Sequence, residues 1–185
     1  MLFATFFSCS TNVLTNEKGS SFNTFISKFK PLDLPLKIDL DDKTLLKNSQ
    51  IIDPNSTDTL FIKPNGNFVA YGYLKDTKDF FSLIYVVIGD GPYFRIANFD
   101  KEFNQIADTS ILNSEGCVPG TLCLVCNTTI QINENKTIRT LDSMNYLNCD
   151  STGNSSGSIL SKSQLEQIIS IDKKGHFKIT SKNSF

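Results

Sequence analysis

The sequence has no tryptophan, a single histidine and two methionines among 185 residues. Its formal net charge is −1, from 18 basic and 19 acidic side chains, so the chain carries no field that would attract a polyanion. We therefore expect no nucleic-acid partner. Long apolar runs are also scarce. Only residues 1–10 come near a membrane-inserting pattern, because charges or glycine interrupt every other apolar run well short of the roughly 20 residues that a spanning helix needs.

The common catalytic motifs are absent from the sequence as well. It contains no G-x-S-x-G, no H-E-x-x-H, no phosphate-binding loop and no dinucleotide-binding glycine run after a strand. A serine or cysteine nucleophile needs a base within hydrogen-bonding reach. The one histidine, His176, follows a glycine in a turn-like stretch, which does not indicate such a base. We assign no catalytic residue and no metal ligand, and we expect neither an enzyme nor a cofactor.

What the sequence does contain favours β-structure. Fifteen phenylalanines and five tyrosines accompany many Asn, Ser and Thr residues, while runs of helix-forming Ala, Glu and Leu are few. We predict a mainly β (β-rich α+β) fold: an antiparallel meander that forms a curved sheet, a sandwich or a barrel, with one short N-terminal amphipathic helix. Residues 22–185 are expected to form a single domain.

The predicted helix lies in the stretch SSFNTFISKFKP. Phe22, Phe25, Ile26 and Phe29 follow the i, i+3, i+4, i+7 spacing of one helical face, with Ser20 or Ser21 as N-cap and Pro31 as the end. We expect this face to cover the open side of a sheet.

Strands are predicted along most of the remaining chain. Residues 32–40 alternate in polarity and form a candidate edge strand, because Pro35 has no N–H to donate. Residues 59–63 and 67–75 flank Asn65-Gly66 and predict a hairpin. Residues 80–89 are apolar on both faces, which indicates a covered central strand.

The second half of the chain shows the same pattern of strands and turns. After the central strand, residues 93–99 and 104–112 continue the meander, and residues 133–136 join a further hairpin. Residues 148–158 have the composition of a mobile surface loop, and a last strand is expected to start near Ile168. The stretch Asp172-Lys173-Lys174-Gly175 suits a type I turn closed by a left-handed glycine.

The first ten residues, MLFATFFSCS, are almost wholly apolar until Ser8. Phe6-Phe7-Ser8-Cys9 resembles the lipobox of bacterial lipoproteins, in which the cysteine becomes the acylated first residue. The resemblance implies a truncated signal peptide over residues 1–8, a lipid on Cys9, a flexible spacer over residues 9–21 and a place in the cell envelope, periplasmic or attached to the outer membrane. The alternative is a buried N-terminal strand with an ordinary core cysteine.

The other four cysteines are Cys117, Cys123, Cys126 and Cys149, an even number for a compartment in which disulfides persist. We expect structural disulfides, with a local link inside residues 116–126 and a second bridge to Cys149, although three pairings are open. Cys123 and Cys126 also have the spacing of one zinc knuckle or of a redox motif, but a second knuckle and a βαβ context are missing.

Three functions stay open at this point. The first is a non-enzymatic, lipid-anchored binding or structural module with an unknown protein or glycan ligand. Four tyrosines offer such a ligand flat surfaces with a polar tip. The second is a secreted hydrolase that uses carboxylates such as Asp39, Asp41 and Asp42. The third is an inhibitor or immunity-type partner protein that binds through residues 117–126. The tyrosines are Tyr71, Tyr73, Tyr85 and Tyr93.

Overall fold

The described part of the chain folds into two β-sheets and one α-helix, which confirms the predicted mainly β fold. The two sheets pack face to face, so the sandwich is the form observed among those that the sequence left open. The structure is a computed structural model, and it describes residues 11–40, 44–47, 49–53, 56–62, 67–75, 77–89, 92–112, 123–150, 152 and 154–184.

Within these residues the helix comes first and the strands follow, interrupted by one short 3-10 helix. The predicted meander is present as four consecutive strands, β4 to β7. The bounds are α1 Thr11–Ile26, β1 Lys30–Leu32, β2 Leu36–Asp39, β3 Gln50–Ile52, the 3-10 helix Thr57–Leu60, β4 Phe68–Leu74, β5 Phe81–Ile88, β6 Pro92–Phe99, β7 Gln105–Ser110, β8 Leu124–Ile132, β9 Ile138–Cys149, β10 Ser155–Ile171 and β11 Phe177–Ser184.

One sheet has six strands in the order β1-β4-β5-β6-β7, and β3 also pairs with β4. The other has five strands in the order β11-β10-β9-β8-β2. The pairing of β1 with β4 is parallel, and every other strand pair in these two sheets is antiparallel. Apolar side chains from both sheets meet between them in what we call the inter-sheet core.

Strand β5 is apolar on both faces because each face packs into a different core. Ile84 and Val86 point into the inter-sheet core, while Leu83 and Tyr85 point to the opposite side, under the helix. This second apolar cluster, the helix-side core, lies between α1 and the six-stranded sheet. The prediction of a central strand covered on both faces is therefore confirmed.

Helix α1 packs on the sheet through the predicted face. Phe22 and Phe25 in the helix, and Phe29 just beyond its end, are almost completely buried, and each such burial contributes about 1.5–3 kcal/mol. The helix starts at Thr11, however, so residues 11–20 are helical where the sequence predicted a spacer. One contact supports this extension: Lys18 Nζ donates a hydrogen bond to Asn104 Oδ1 at 2.6 Å, which connects the middle of the helix to the β6–β7 turn.

The helix also ends earlier than predicted, at Ile26. Pro31, the predicted terminator, lies in β1 at the edge of the six-stranded sheet, where its missing N–H leaves no ladder bond unmade.

The predicted strand over residues 59–63 is wrong, because Thr57–Leu60 forms a 3-10 helix. Ser56 caps it: its side chain accepts a hydrogen bond from the Asp58 backbone N–H at 3.3 Å. Asp58 is buried and forms an ion pair with Lys28, just beyond the end of α1. Local capping thus outweighs β-propensity, and β4 pairs with β3, β1 and β5 instead. Asn65 and Gly66 lie outside the described residues.

The single edge strand predicted over residues 32–40 is corrected to two strands that belong to different sheets. Strand β1 ends at Leu32 on the six-stranded sheet, and β2 starts at Leu36 on the five-stranded sheet. The chain crosses between them through a cis Leu34–Pro35 bond. Both strands lie at sheet edges, as expected for a proline-containing segment.

The C-terminal third forms the long strands of the five-stranded sheet. Strand β9 extends to Cys149 and β10 starts at Ser155, so most of the mobile loop predicted over residues 148–158 is strand, and β10 begins far before Ile168. The predicted turn at Asp172 is confirmed: the Gly175 N–H donates to the Asp172 carbonyl at 3.1 Å, and Gly175 has a φ of 86°.

This last turn is tied to the other sheet by a buried side chain. The Nδ2 group of Asn98 donates to the Gly175 carbonyl at 2.7 Å, and its Oδ1 accepts from Ser82 Oγ at 2.6 Å. Both side chains are buried, so these hydrogen bonds connect the two sheets in a dry environment.

Candidate ligand-binding groove

A groove of about 500 Å³ opens where the end of α1 meets the end of β4. Its volume falls within the range of small-molecule sites, and its lining is largely apolar. It is built from the ends of four elements rather than from one continuous segment. The lining residues are Ile26, Ser27, Phe29, Pro31, Tyr73, Leu74, Lys75, Thr77 and Phe81.

One wall of the groove comes from the end of the helix and the start of β1. Ser27 follows the last helical residue, and its Oγ donates to the Thr24 carbonyl at 2.8 Å. Phe29 is buried against the ring of Phe25, with centroids 5.2 Å apart. The chain then enters β1 at Lys30, so Phe29 and Pro31 carry the wall from the helix to the sheet edge.

The floor depends on a close approach between β1 and β4. A Cβ placed on Gly72 would lie 2.5 Å from Leu32 Cδ2, so only glycine allows this packing. Leu32 is then buried in the inter-sheet core, and the next residue of β4, Tyr73, remains half-buried beside the groove. The structure shows no hydrogen bond from the Tyr73 phenol to another described residue.

The opposite wall contains Phe81, the first residue of β5. One face of its ring carries the ammonium of Lys101, whose Nζ lies 4.3 Å from the ring centroid. Phe22 packs on the same ring, with centroids 5.3 Å apart. These contacts fix the orientation of Phe81, which gives the groove a preformed aromatic wall.

The rim is polar. Lys75 Nζ lies 2.5 Å from Asp33 Oδ1, in an ion pair of which the Asp33 side chain is 90% exposed. Ser27 and Thr77 add hydroxyl groups at the groove. The arrangement therefore suits a ligand with an apolar face and polar groups at its edge.

Of the four tyrosines predicted to form a binding face, only Tyr73 lines the groove. Tyr71 is buried in the inter-sheet core against Phe94, at a centroid distance of 5.2 Å, and Tyr93 is an exposed residue near the start of β6. Tyr85 is buried in the helix-side core. The four tyrosines therefore do not form one binding face, since Tyr71 and Tyr85 pack on opposite sides of the six-stranded sheet.

The sequence interpretation missed Phe29 and Phe81 as groove residues. Both were assigned to core elements, and each does belong to one. Phe81 could have been noticed by its position at the start of a strand, where a large side chain is only partly covered. Phe29 is almost completely buried and gives no such signal.

Tyr85 belongs to a polar network across three strands. Its phenol donates to Asp108 Oδ2 at 2.7 Å, and Arg95 donates to Asp108 Oδ1 through Nε at 3.0 Å and Nη2 at 2.8 Å. Burial and the bond to Asp108 raise the pKa of the Tyr85 phenol well above its ordinary value, so it stays a proton donor. Arg95 also donates to the phenol oxygen at 2.9 Å, which completes a network that crosslinks β5, β6 and β7.

The carboxylates considered for hydrolysis are not brought together among the described residues. Asp39 is exposed at the end of β2, and Asp41 and Asp42 lie outside the described residues. Asp58 is buried, but it is occupied by Lys28 and by Ser56 Oγ, which donates to it at 2.7 Å. Across the described residues, no group of His, Cys, Asp and Glu side chains has the geometry to hold a metal ion.

Two of the four cysteines expected to form disulfides are bonded to each other. Cys123 and Cys149 form a disulfide with a Cα–Cα distance of 6.0 Å, which links the segment before β8 to the end of β9. Cys126 is also disulfide-bonded, so neither member of the C-x-x-C pair is a free thiolate for a zinc or redox site. Cys117 lies outside the described residues, as do most of residues 117–126 proposed as a partner-binding loop.

His176 lies in the β10–β11 turn, where it is exposed. Its backbone N–H donates to Asp172 Oδ1 at 3.0 Å, and this bond lowers the pKa of the Asp172 carboxyl. The histidine thus serves the turn through its backbone.

The lipobox-like stretch and Cys9 lie outside the described residues. Among the described residues, no helix combines the length and the apolar character that crossing a bilayer requires. No known protein family matches the chain, and neither a curated protein nor a solved structure matches it.

Proposed function

We propose that this protein is a non-enzymatic binding module of a bacterial cell envelope, held at a membrane by a lipid on Cys9. The observation that carries the binding role is the preformed groove of about 500 Å³ between the end of α1 and the β4–β5 end of the six-stranded sheet. Tyr73 and Phe81 provide its aromatic surface, and Ser27 and Thr77 provide hydroxyl groups.

The envelope location is supported by two independent features. Phe6-Phe7-Ser8-Cys9 resembles a lipobox, and the Cys123–Cys149 disulfide is typical of an oxidising compartment. A lipobox directs acylation outside the cytoplasm, and the reducing cytoplasm does not preserve disulfides.

The ligand expected for this groove is compact, with one apolar face. Aromatic rings offer such a face a large contact area, while the hydroxyl groups and Lys75 at the rim serve its polar edge. A sugar ring within a glycan and an apolar side chain of a protein partner both have this character. The groove does not present paired carboxylates, so binding without chemistry is the function that its lining supports.

The binding role is tested with the fluorescent probe 1-anilinonaphthalene-8-sulfonate, a flat apolar molecule with one anionic group. We expect a single site that the variant Ser27→Trp blocks, because an indole at this exposed position fills the groove. Tyr73→Ala should weaken binding by about tenfold, through the loss of an aromatic contact.

The matched control is Tyr93→Ala, which removes a tyrosine that is 46% exposed on another part of the same sheet. It should leave the probe affinity unchanged. Equal probe binding by the wild-type protein and Ser27→Trp would contradict the groove as the binding site.

The anchor is tested by mass spectrometry of the protein from its native membrane. We expect an acylated Cys9 as the first residue, and Cys9→Ser should release the protein from the membrane fraction. A membrane-bound protein that retains residues 1–8 and an unmodified Cys9 would overturn the anchor and leave the groove untouched.

A further inference from the structure

Helix α1 is connected to the body from its middle onward. Lys18 bonds Asn104 in the β6–β7 turn, and a Cβ on Gly19 would lie 3.1 Å from the Phe103 ring. Phe22 then enters the helix-side core, where it stacks on Phe103 with centroids 4.8 Å apart. From Lys18 onward the helix therefore moves with the sandwich as one body.

The proposed lipid attachment site is very near this helix in the sequence. Only Ser10 separates Cys9 from Thr11, so the connection spans about 7 Å at most. Seven residues of helix from Thr11 to Lys18 add about 10 Å. The chain between an acylated Cys9 and the first described body contact is thus short, and most of it is helical.

We infer that α1 is a stiff spacer that holds the sandwich directly against the bilayer surface, with the end around Lys18, Asn104 and Leu60 facing the lipid headgroups. This inference rests on the proposed acylation of Cys9. It replaces the flexible tether that the sequence predicted with a short, oriented connection.

The surface at this end contains an apolar residue that the fold does not cover. Leu60 is 68% exposed, and together with Lys18 and Phe103 it lines a recess of about 250 Å³. The length of chain that precedes Thr11 brings the lipid to this side of the molecule, so the occupant we assign to the surface is the bilayer interface.

The far end of the molecule supplies a matched reference position. Leu160 is also exposed, at 73%, and it lies eleven residues from Ile171 along β10, or about 35 Å. The turn that follows Ile171 lies at the anchored end, because Gly175 borders Phe80 and Ile106 beside the β6–β7 turn. Leu160 therefore lies on the side away from the predicted membrane contact.

The test uses single-tryptophan variants, since the wild-type chain contains none. Acylated Leu60→Trp and Leu160→Trp are placed in phosphatidylethanolamine–phosphatidylglycerol vesicles that contain lipids with nitroxide-labelled headgroups. We expect the fluorescence at position 60 to be strongly quenched and that at position 160 to persist. Equal quenching at the two positions, with Cys9 acylated, overturns the oriented contact alone.

A second variant separates stiffness from simple proximity. An insert of about 20 Gly and Ser residues between Ser10 and Thr11 lets the body move roughly 25 Å from the lipid. Quenching at position 60 should then fall to the level at position 160. Undiminished quenching with the insert would show that the helix is not what sets the distance, and a lack of acyl chain on Cys9 would overturn the anchor together with this inference.

Discussion

The two apolar cores lie on opposite faces of the six-stranded sheet, and they are built from different side chains. Eight of the thirteen buried members of the inter-sheet core are isoleucines, whereas six of the twelve in the helix-side core are phenylalanines. β-Branched residues fit between two pleated surfaces, while large rings fill the less regular space between a helix and a sheet. The helix-side core therefore depends on larger individual side chains.

The largest expected effect is on the helix-side core. Phe22 contacts the rings of Phe25, Phe61, Phe81, Phe99 and Phe103. We expect Phe22→Ala to lower the free energy of unfolding by about 3–5 kcal/mol, and Ile169→Val in the inter-sheet core to lower it by about 1 kcal/mol. Urea denaturation followed by circular dichroism measures both, and a loss below about 1 kcal/mol for Phe22→Ala would contradict the central place of this ring in the helix-side core.

The next effect concerns the buried polar link between the sheets. Asn98→Ala leaves the Ser82 hydroxyl and the Gly175 carbonyl without their partner, at a cost of about 2–3 kcal/mol. Asn23→Ala serves as the control, because Asn23 is exposed on α1 and its substitution should change the free energy of unfolding by at most about 0.5 kcal/mol. Equal stability of the two variants would indicate that apolar contacts alone hold the sheets together.

A smaller effect is expected at the ion pair that connects α1 to the 3-10 helix. Asp58→Asn weakens a contact in which the carboxylate is 4% exposed, so we expect a loss of about 1–2 kcal/mol. The matched change Asp33→Asn, in an exposed pair, should cost at most about 0.5 kcal/mol. Thermal unfolding of both variants distinguishes a structural connection from a surface pair.

The smallest effect lies outside both cores, in the β9–β10 turn. Bonds from Thr152 and Asn154 lower the pKa of Asp150 to about 2. Because the carboxylate is favoured in the folded state, its contribution is present above the unfolded pKa of about 3.9 and is lost as the pH falls toward 2. Asp150→Asn should remove that part of the acid sensitivity in stability measurements between about pH 4 and pH 2, and an unchanged pH profile would contradict it.

Local sequence patterns predicted the elements that depend on short-range contacts and the strand that is covered by apolar residues on both faces. Short-range patterns predicted three of them: the buried strand β5, the phenylalanine face at Phe22, Phe25 and Phe29, and the turn at Asp172. The 3-10 helix at Thr57 did not follow, since its stability depends on the distant Lys28 as well as on its own cap.

The groove was beyond sequence reasoning for a related reason. Its residues come from the ends of α1, β1, β4 and β5, and they meet only because Gly72 lets β1 lie against β4. The spacing of these residues along the sequence gives no indication that they lie together in the fold. Tyr71 and Tyr73 show the same limit. Their spacing of two predicts one face of a strand, but the β-bulge between Ala70 and Gly72 places Tyr71 in the inter-sheet core and Tyr73 beside the helix-side core.

The outer margin of β4 is shared by two short strands, β1 beside Gly72–Leu74 and β3 beside Phe68–Ala70. Neither exceeds three residues, and one contains Pro31. A neighbouring molecule finds no long row of unpaired backbone groups here, so this margin is a poor template for intermolecular strand addition. The segmented border thus protects this margin of the sheet from self-association at high local concentration.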